Sequence, residues 1–301
     1  MFRFIKKSLK LVLKIHIKLL RQILIKTHFI QKIGLLGFGE TNLYNINCFY
    51  MTLDIENADF NICFSEKTKL PFKNNSLNIV YSSHNLEHLN ESIADQFFKE
   101  SYRVLKPNRE LLIEVPNTQL LWEAYGAYLS TNETKHIQPF LDYCKVKQKN
   151  QLLYFDDSVI KPIQKEHPQL SVEQIIHDLN HPGNAIFGCF LACYQNPPFQ
   201  GTHIPVFCNP EEINQTYTEL SSTDFFEWYL NKMTAKQQLS GGHINAWTPE
   251  KLLGKLESNG FSAKIRKYKE SIFFGRLLSK LMVPDRQHRT FFSLLVSGIK
   301  K

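Results

Sequence analysis

The sequence predicts an α/β domain with a doubly wound, mostly parallel sheet that is interrupted by a long insertion. Leu70–Asn117 reads as a complete strand–helix–strand unit. Two earlier apolar runs, Gln31–Gly39 and Cys48–Ile55, end in residues suited to strand ends. After a long stretch without clean periodicity, helix and strand signals return from His243 onward. With 301 residues, 43% of them apolar and 13% aromatic, the chain is long enough to bury one substantial core and carry an insertion besides.

Within the central unit, Ser76–Ser82 is a short run rich in Leu, Ile, Val and Tyr after a Lys-Asn-Asn turn, as suits a strand buried in a parallel sheet. Ile93–Leu105 places Ile93, Phe97, Phe98, Tyr102 and Leu105 at helical spacing, and Lys106-Pro107-Asn108 stops the helix. Leu111–Val115 is the second strand. Crossovers between parallel strands are right-handed, and ligands bind beyond the carboxyl ends of the strands. Ser82, Ser83 and His84 are expected at that edge, together with Pro116-Asn117.

The order LPF, NNSLNIVYSSHNLEHL, FFKESYRVLKPN, LLIEVPN resembles the middle of the Rossmann-like class I S-adenosylmethionine-dependent methyltransferases, in the branch acting on small diffusible or glycan-type substrates. The resemblance covers about Lys32–Asn117 and Gly242–Lys301. It implies a seven-stranded sheet, S-adenosylmethionine as cofactor, and O-methylation of a small molecule or sugar hydroxyl. Gly37 and Gly39 match the glycine-rich loop after the first strand, where the backbone must turn sharply and approach the cofactor without a Cβ; the third glycine position is Thr41. Asp54 matches the acid that accepts from both ribose hydroxyls, which a carboxylate does better than an amide or hydroxyl. Glu66 matches the acid placed near the adenine amino group, and Ser82 and Ser83 line the cofactor cleft. Asn78 stands where the family usually has Asp, and Asn108-Arg109 where it has a glycine pair. These departures keep a cofactor-impaired, non-catalytic scaffold as the alternative.

His84-Asn85-Leu86-Glu87-His88 also spells H-x-x-E-H, a zinc-peptidase signature. The first His sits at a strand end rather than within a helix, so metal hydrolysis is the lesser reading and no metal is expected. His84 and, second, His243 are the candidate bases for an acceptor hydroxyl, because a neutral imidazole accepts a proton near pH 7. Glu87 and His88 are read as structural.

Three segments follow: a basic amphipathic helix over 1–31, the core over 32–118 and 242–301, and a substrate cap over 119–241. In the first, Lys7, Lys10, Lys14, Lys18 and Arg21 share one helical face and Leu9, Leu13, Ile17, Leu20 and Leu24 the other. Charges at that spacing exclude a membrane span; residues 1–27 suit either an anionic membrane surface or packing against the sheet. The net charge of +8 gathers largely there rather than on a stripe interleaved with aromatics, which disfavours nucleic acid. Six cysteines without C-x-x-C point to a reducing cytoplasm, with peripheral attachment to the inner face of the membrane as the further expectation. In the cap, His177 and His181 share a helical face and Cys189, Cys193, His203 and Cys208 follow, a set that could hold a structural zinc; irregular spacing and apolar neighbours favour buried thiols and hydrogen-bonded histidines. Thr248-Pro249 opens a helix, Asn259-Gly260 closes it, and Ser262–Tyr268 and Phe291–Lys300 are the last two strands.

Overall fold

The computed structural model describes residues 33–37, 50–54, 60–147, 157–195, 203–239, 242–267 and 291–301. The expected N-terminal helix and Gly39 lie outside the described residues. Strands β1 (Ile33–Gly37), β2 (Tyr50–Asp54), β3 (Phe60–Asn61), β4 (Leu77–Ser83), β5 (Leu105–Pro116), β8 (Phe261–Ile265) and β9 (Ser293–Lys300) form one seven-stranded sheet in the order β3-β2-β1-β4-β5-β9-β8. Pairing is parallel from β3 through β5 and antiparallel for β5–β9 and β8–β9, so the sheet is mixed. The last strand enters between β5 and β8, forming the C-terminal hairpin. The two-residue β3 is too short to show an apolar period, and the sequence reading assigned no strand there.

Helix α1 (Glu91–Val104) starts two residues before the expected point because Asn90 caps it, its side chain accepting from the Ile93 N–H at 2.9 Å. Strand β5 begins immediately, at Leu105. The register shifts between Leu77 and Ile79 opposite, and Asn108 takes φ +59°. Asn tolerates this left-handed conformation, which glycine also adopts without strain.

Helix α10 (Pro249–Ser258) begins and ends where its caps predict: Thr248 accepts from Lys251 N–H at 3.2 Å, Pro249 occupies the first turn, and Asn259 ends it. Phe97 and Phe98 of α1, Leu252 and Leu256 of α10 and Trp247 pack on Val80, Leu111, Ile113 and Val296 as one core. Burying each large apolar side chain contributes ~1.5–3 kcal/mol. The opposite sheet face carries Tyr81, Ser83 and Glu114, all buried.

The segment between β5 and α10, read as helical or irregular, is mostly helix: α2 (Thr118–Thr131), α3 (Gln138–Lys147), α4 (Asp157–Glu166), α5 (Val172–Leu179), α6 (Pro182–Phe190), α7 (Pro210–Glu219), α8 (Ser222–Leu230) and α9 (Ala235–Gln238). The β6 (Cys193–Gln195) and β7 (His203–Pro205) strands pair antiparallel. Ser171, His181, Asn209, Ser221 and Thr234 cap successive helices, which explains the polar, proline-punctuated composition. Leu121, Tyr125, Phe187, Phe225 and Tyr229 belong to a second core, separate from the sheet core. Buried Asn184 donates to the carbonyls of Asp178 and Cys208 and accepts from Cys208 N–H, tying the segment together.

Candidate functional site

Parallel pairing brings the predicted residues to one end of the sheet. Gly37 ends β1 opposite Ser83 of β4, and Asp54 ends β2 one step past the Leu36–Leu53 pair. The carboxyl ends of three adjacent strands therefore carry a glycine, an acid and a serine pair. Ser82 Oγ is buried without a hydrogen-bond partner among the described residues. A strand-end glycine, a strand-end acid and a buried hydroxyl without a partner among the described residues are residue types that suit a nucleoside ligand with hydroxyl donors.

Two predicted cofactor residues are used differently. Ser83 Oγ donates to Glu114 Oε2 at 3.2 Å, turning inward rather than toward the cleft. Successive strand residues face opposite sides, so Ser82 and Ser83 cannot both line one cleft. Glu66 lies exposed in a turn and accepts from Ser92 Oγ at 2.6 Å. That bond keeps it beside the start of α1, at the same end of the sheet.

His84 adopts φ +49° immediately after β4, and its N–H donates to the Glu114 carbonyl at 2.8 Å. Its Nδ1 lies 3.2 Å from Glu87 Oε1, and its Nε2 2.8 Å from Ser293 Oγ and 3.7 Å from Glu114 Oε1. Burial alone would lower the ring's pKa, but hydrogen bonds to Glu114 and Glu87 outweigh it and hold the value above the ordinary one. Both ring nitrogens are therefore engaged, Nδ1 by Glu87 and Nε2 by Ser293 with Glu114 nearby, and the ring ties the ends of β4, β5 and β9 together.

Glu114, at 1% exposure, is the residue that the sequence reading missed. It accepts from Tyr81 Oη at 2.6 Å as well as from Ser83. The available signal was a carboxylate inside the apolar run LLIEVPN, where an acid is tolerated only with partners.

The 3₁₀ turn Leu86–His88 follows. Residues 242–245 dock on it: Ile244 and Asn245 N–H both donate to the Glu87 carbonyl, at 2.8 and 3.1 Å, while His243 N–H donates to Cys193 O at 2.9 Å. This places His243 against His88, with ring centroids 4.9 Å apart in a T-shaped contact. Glu87, expected to be merely structural, is 2% exposed. Burial opposes its ionisation, yet the hydrogen bond and charge of His84, with His88 and His243 nearby, hold its pKa down to about 2. The H-x-x-E-H reading fails on geometry, because His84 turns to Ser293 and Glu114 while His88 turns to Gly242. In the helical segment, His177 is exposed beside Asp178, His181 caps α6, and Cys193 and Cys208 are buried; burial pushes the Cys208 thiol up to about 12.

Residues 50–113 match the family model described as a methyltransferase domain. No curated protein matches the chain. Among solved structures, the chain resembles an S-adenosylmethionine-dependent methyltransferase from Mesorhizobium loti at 12% identity, covering 89% of this chain and 90% of that one with a TM-score of 0.34. An Archaeoglobus fulgidus methyltransferase matches at 12% identity, over 94% of each chain, with a TM-score of 0.33. Phosphoethanolamine N-methyltransferase 2 of Haemonchus contortus, solved with S-adenosyl-L-methionine, matches at 10% identity and a TM-score of 0.36; 90% of this chain spans 48% of that one. The domain match covers β2 through most of β5, the part of the sheet in which Asp54 and the serine pair reach one edge. Residues 50–113 are thus similar to a methyltransferase domain, of the kind that uses S-adenosylmethionine, and the likeness falls on the strands that bring Asp54, Ser82 and Ser83 to one edge.

Proposed function

We propose that the chain methylates an oxygen of a small molecule or sugar that enters between the sheet's carboxyl edge and the helical segment 118–239. One observation carries the reading: Glu87, His88 and His243 meet where that segment rejoins the sheet, just beyond the strand end that carries Ser82. S-adenosylmethionine supplies an electrophilic methyl group, and attack on it depends mainly on positioning and exclusion of water. Asp54 would accept from the ribose hydroxyls, with Gly37 leaving room for the backbone to approach. The acceptor hydroxyl loses its proton toward the Glu87–His88–His243 group, which includes the second of the two expected histidines. His84 positions Glu87 instead of taking the proton itself.

Calorimetry with S-adenosylmethionine tests the cofactor half. Asp54→Ala is expected to weaken binding by about 1.5–3 kcal/mol, the loss that follows removal of a charge-assisted hydrogen-bond partner. Unchanged affinity refutes the role. The acceptor half is tested by methyl transfer to a panel of sugars and small alcohols, and activity confined to amines would overturn the oxygen assignment.

The basic face of residues 1–27 supports a cytoplasmic enzyme held at an anionic membrane surface. Among the described residues, no helix is long and apolar enough to cross a membrane. Deleting 1–27 should reduce sedimentation with phosphatidylserine-containing vesicles, and raised salt should do the same. Equal sedimentation with and without the segment removes the membrane role.

A further inference from the structure

We propose that Glu87, His88 and His243 form a divalent metal site of the zinc class, with a remaining coordination position open to an acceptor oxygen or water. Their candidate ligand atoms all lie within 4.8 Å of one another. Tetrahedral ligands about 2.1 Å from zinc stand about 3.4 Å apart, so the group closes by up to about 1.4 Å on the ion.

Three features point to a metal rather than to a fortuitous cluster. The first is the tautomer of both rings. His88 Nδ1 donates to the Gly242 carbonyl at 2.9 Å, and His243 Nδ1 donates to the Phe190 carbonyl at 3.0 Å. A carbonyl only accepts, so in each neutral ring the proton is on Nδ1 and the lone pair on Nε2. Backbone carbonyls hold metal-binding histidines in this way, fixing ring orientation and raising ligand basicity. Second, Glu87 Oε2 is buried and has no hydrogen-bond partner among the described residues, although its carboxylate is 2% exposed. Leaving a buried carboxylate oxygen unmatched is costly, and a cation at this point would satisfy it. Third, the carboxylate is already oriented, because its other oxygen meets His84 Nδ1 at 3.2 Å. His84 thus stands behind the acidic ligand as the two carbonyls stand behind the imidazoles.

Two imidazoles and one carboxylate are a borderline nitrogen and oxygen set that suits zinc, and three protein ligands leave a position for an exogenous oxygen. Glu87 is buried, while His88 and His243 are half-buried, so the opening lies on the imidazole side. An oxygen bound there has its pKa lowered by the ion and releases its proton to solvent, so with the metal in place the ion takes over from the imidazoles in deprotonating the acceptor. The substrate half of this inference rests on the methyl-transfer reading; the metal site itself does not.

The experiment uses the full chain, stripped with chelator, dialysed and titrated calorimetrically with zinc in a non-coordinating buffer, with metal content measured in parallel. The expected result is one equivalent of zinc per chain. His88→Ala and His243→Ala should each weaken it at least 100-fold, whereas His177→Ala, at a surface histidine remote from the group, should bind as the parent does. Cobalt loaded in place of zinc should give visible d–d absorption that disappears in His243→Ala, a readout independent of turnover. Should a variant fail to fold, the stoichiometry and cobalt spectrum of the parent chain still decide the matter. Absence of bound zinc in the parent, or zinc held equally by His88→Ala and His243→Ala folded variants, overturns the site. S-adenosylmethionine binding is measured on the same samples. Zinc without cofactor binding would sink the methyl-transfer reading and leave the metal site standing, while cofactor binding and methyl transfer without zinc would do the reverse.

Discussion

Gly242→Ala is expected to lower methyl transfer by about 10²-fold while the sheet core stays folded. A Cβ at this position would stand 1.7 Å from the Cys193 carbonyl oxygen and 2.6 Å from the Tyr194 Cα. Both obstacles are backbone, so no side-chain rotation relieves them. The chain must move away, breaking the His243 N–H to Cys193 O bond and carrying the imidazole with it. A shift of about 1 Å at a reacting group costs on that order in rate, and overpacking of this kind costs about 1–3 kcal/mol of stability. Steady-state kinetics with urea unfolding separate the two effects. Wild-type turnover in the alanine variant would show that His243 need not be held by β6.

Glu114→Ala should be the most destabilising single change at the strand ends, by about 3–5 kcal/mol, the usual cost of removing one partner of a buried ionic group. Glu114 receives Tyr81 Oη and Ser83 Oγ and lies 3.7 Å from His84 Nε2, with all four side chains deep in the strand-end layer. The measurement is the urea midpoint at constant m-value. A double-mutant cycle with His84→Asn assigns the cause, since Asn also accepts the left-handed backbone found at 84. If the His84 ring is the main dependent of Glu114, the Glu114→Ala penalty should shrink in the His84→Asn background by about 0.5–3 kcal/mol. An unchanged penalty would assign the loss to partners of Glu114 other than His84, the Tyr81 and Ser83 hydroxyls among them.

The parts legible in the sequence were those written locally. The LNIVYSS run and its proline-stopped helix gave β4 and α1 to within two residues, because burial on both faces makes a strand continuously apolar and an interior proline stops a helix. Thr248, Pro249 and Asn259 marked α10 at both ends for equally local reasons. The helical segment was harder to read. Its caps are single polar residues in a polar stretch, and its short helices bury aromatic side chains whose partners lie far along the chain, as with Tyr125 and Tyr217 at a centroid distance of 5.1 Å.

At the site, location was legible and chemical role was not. Gly37, Asp54 and Ser82 could be placed at strand ends from apolar-run boundaries. The engagement of the His84 ring depends on Glu87, Ser293 and Glu114, and the face of Ser83 depends on strand alternation, neither of which a motif records. His88 and His243 come together across the whole helical segment, through backbone bonds whose partners belong to β6 and to the 3₁₀ turn. No local pattern could announce that meeting.

The seam at 242–245 has a thermodynamic consequence. His243 is hung from the helical segment by the carbonyls of Cys193 and Phe190, while Ile244 and Asn245 are sewn to the sheet through Glu87. Any ligand that bridges the His243 ring and Glu87 therefore binds only the docked arrangement of the two cores, and its binding free energy becomes docking free energy. By reciprocity, a substitution that loosens the helical segment many residues away, at Asn184 for instance, taxes affinity at the seam without touching it. Occupancy of the seam then strengthens a coupling between the two cores that the backbone bonds at 243–245 already provide.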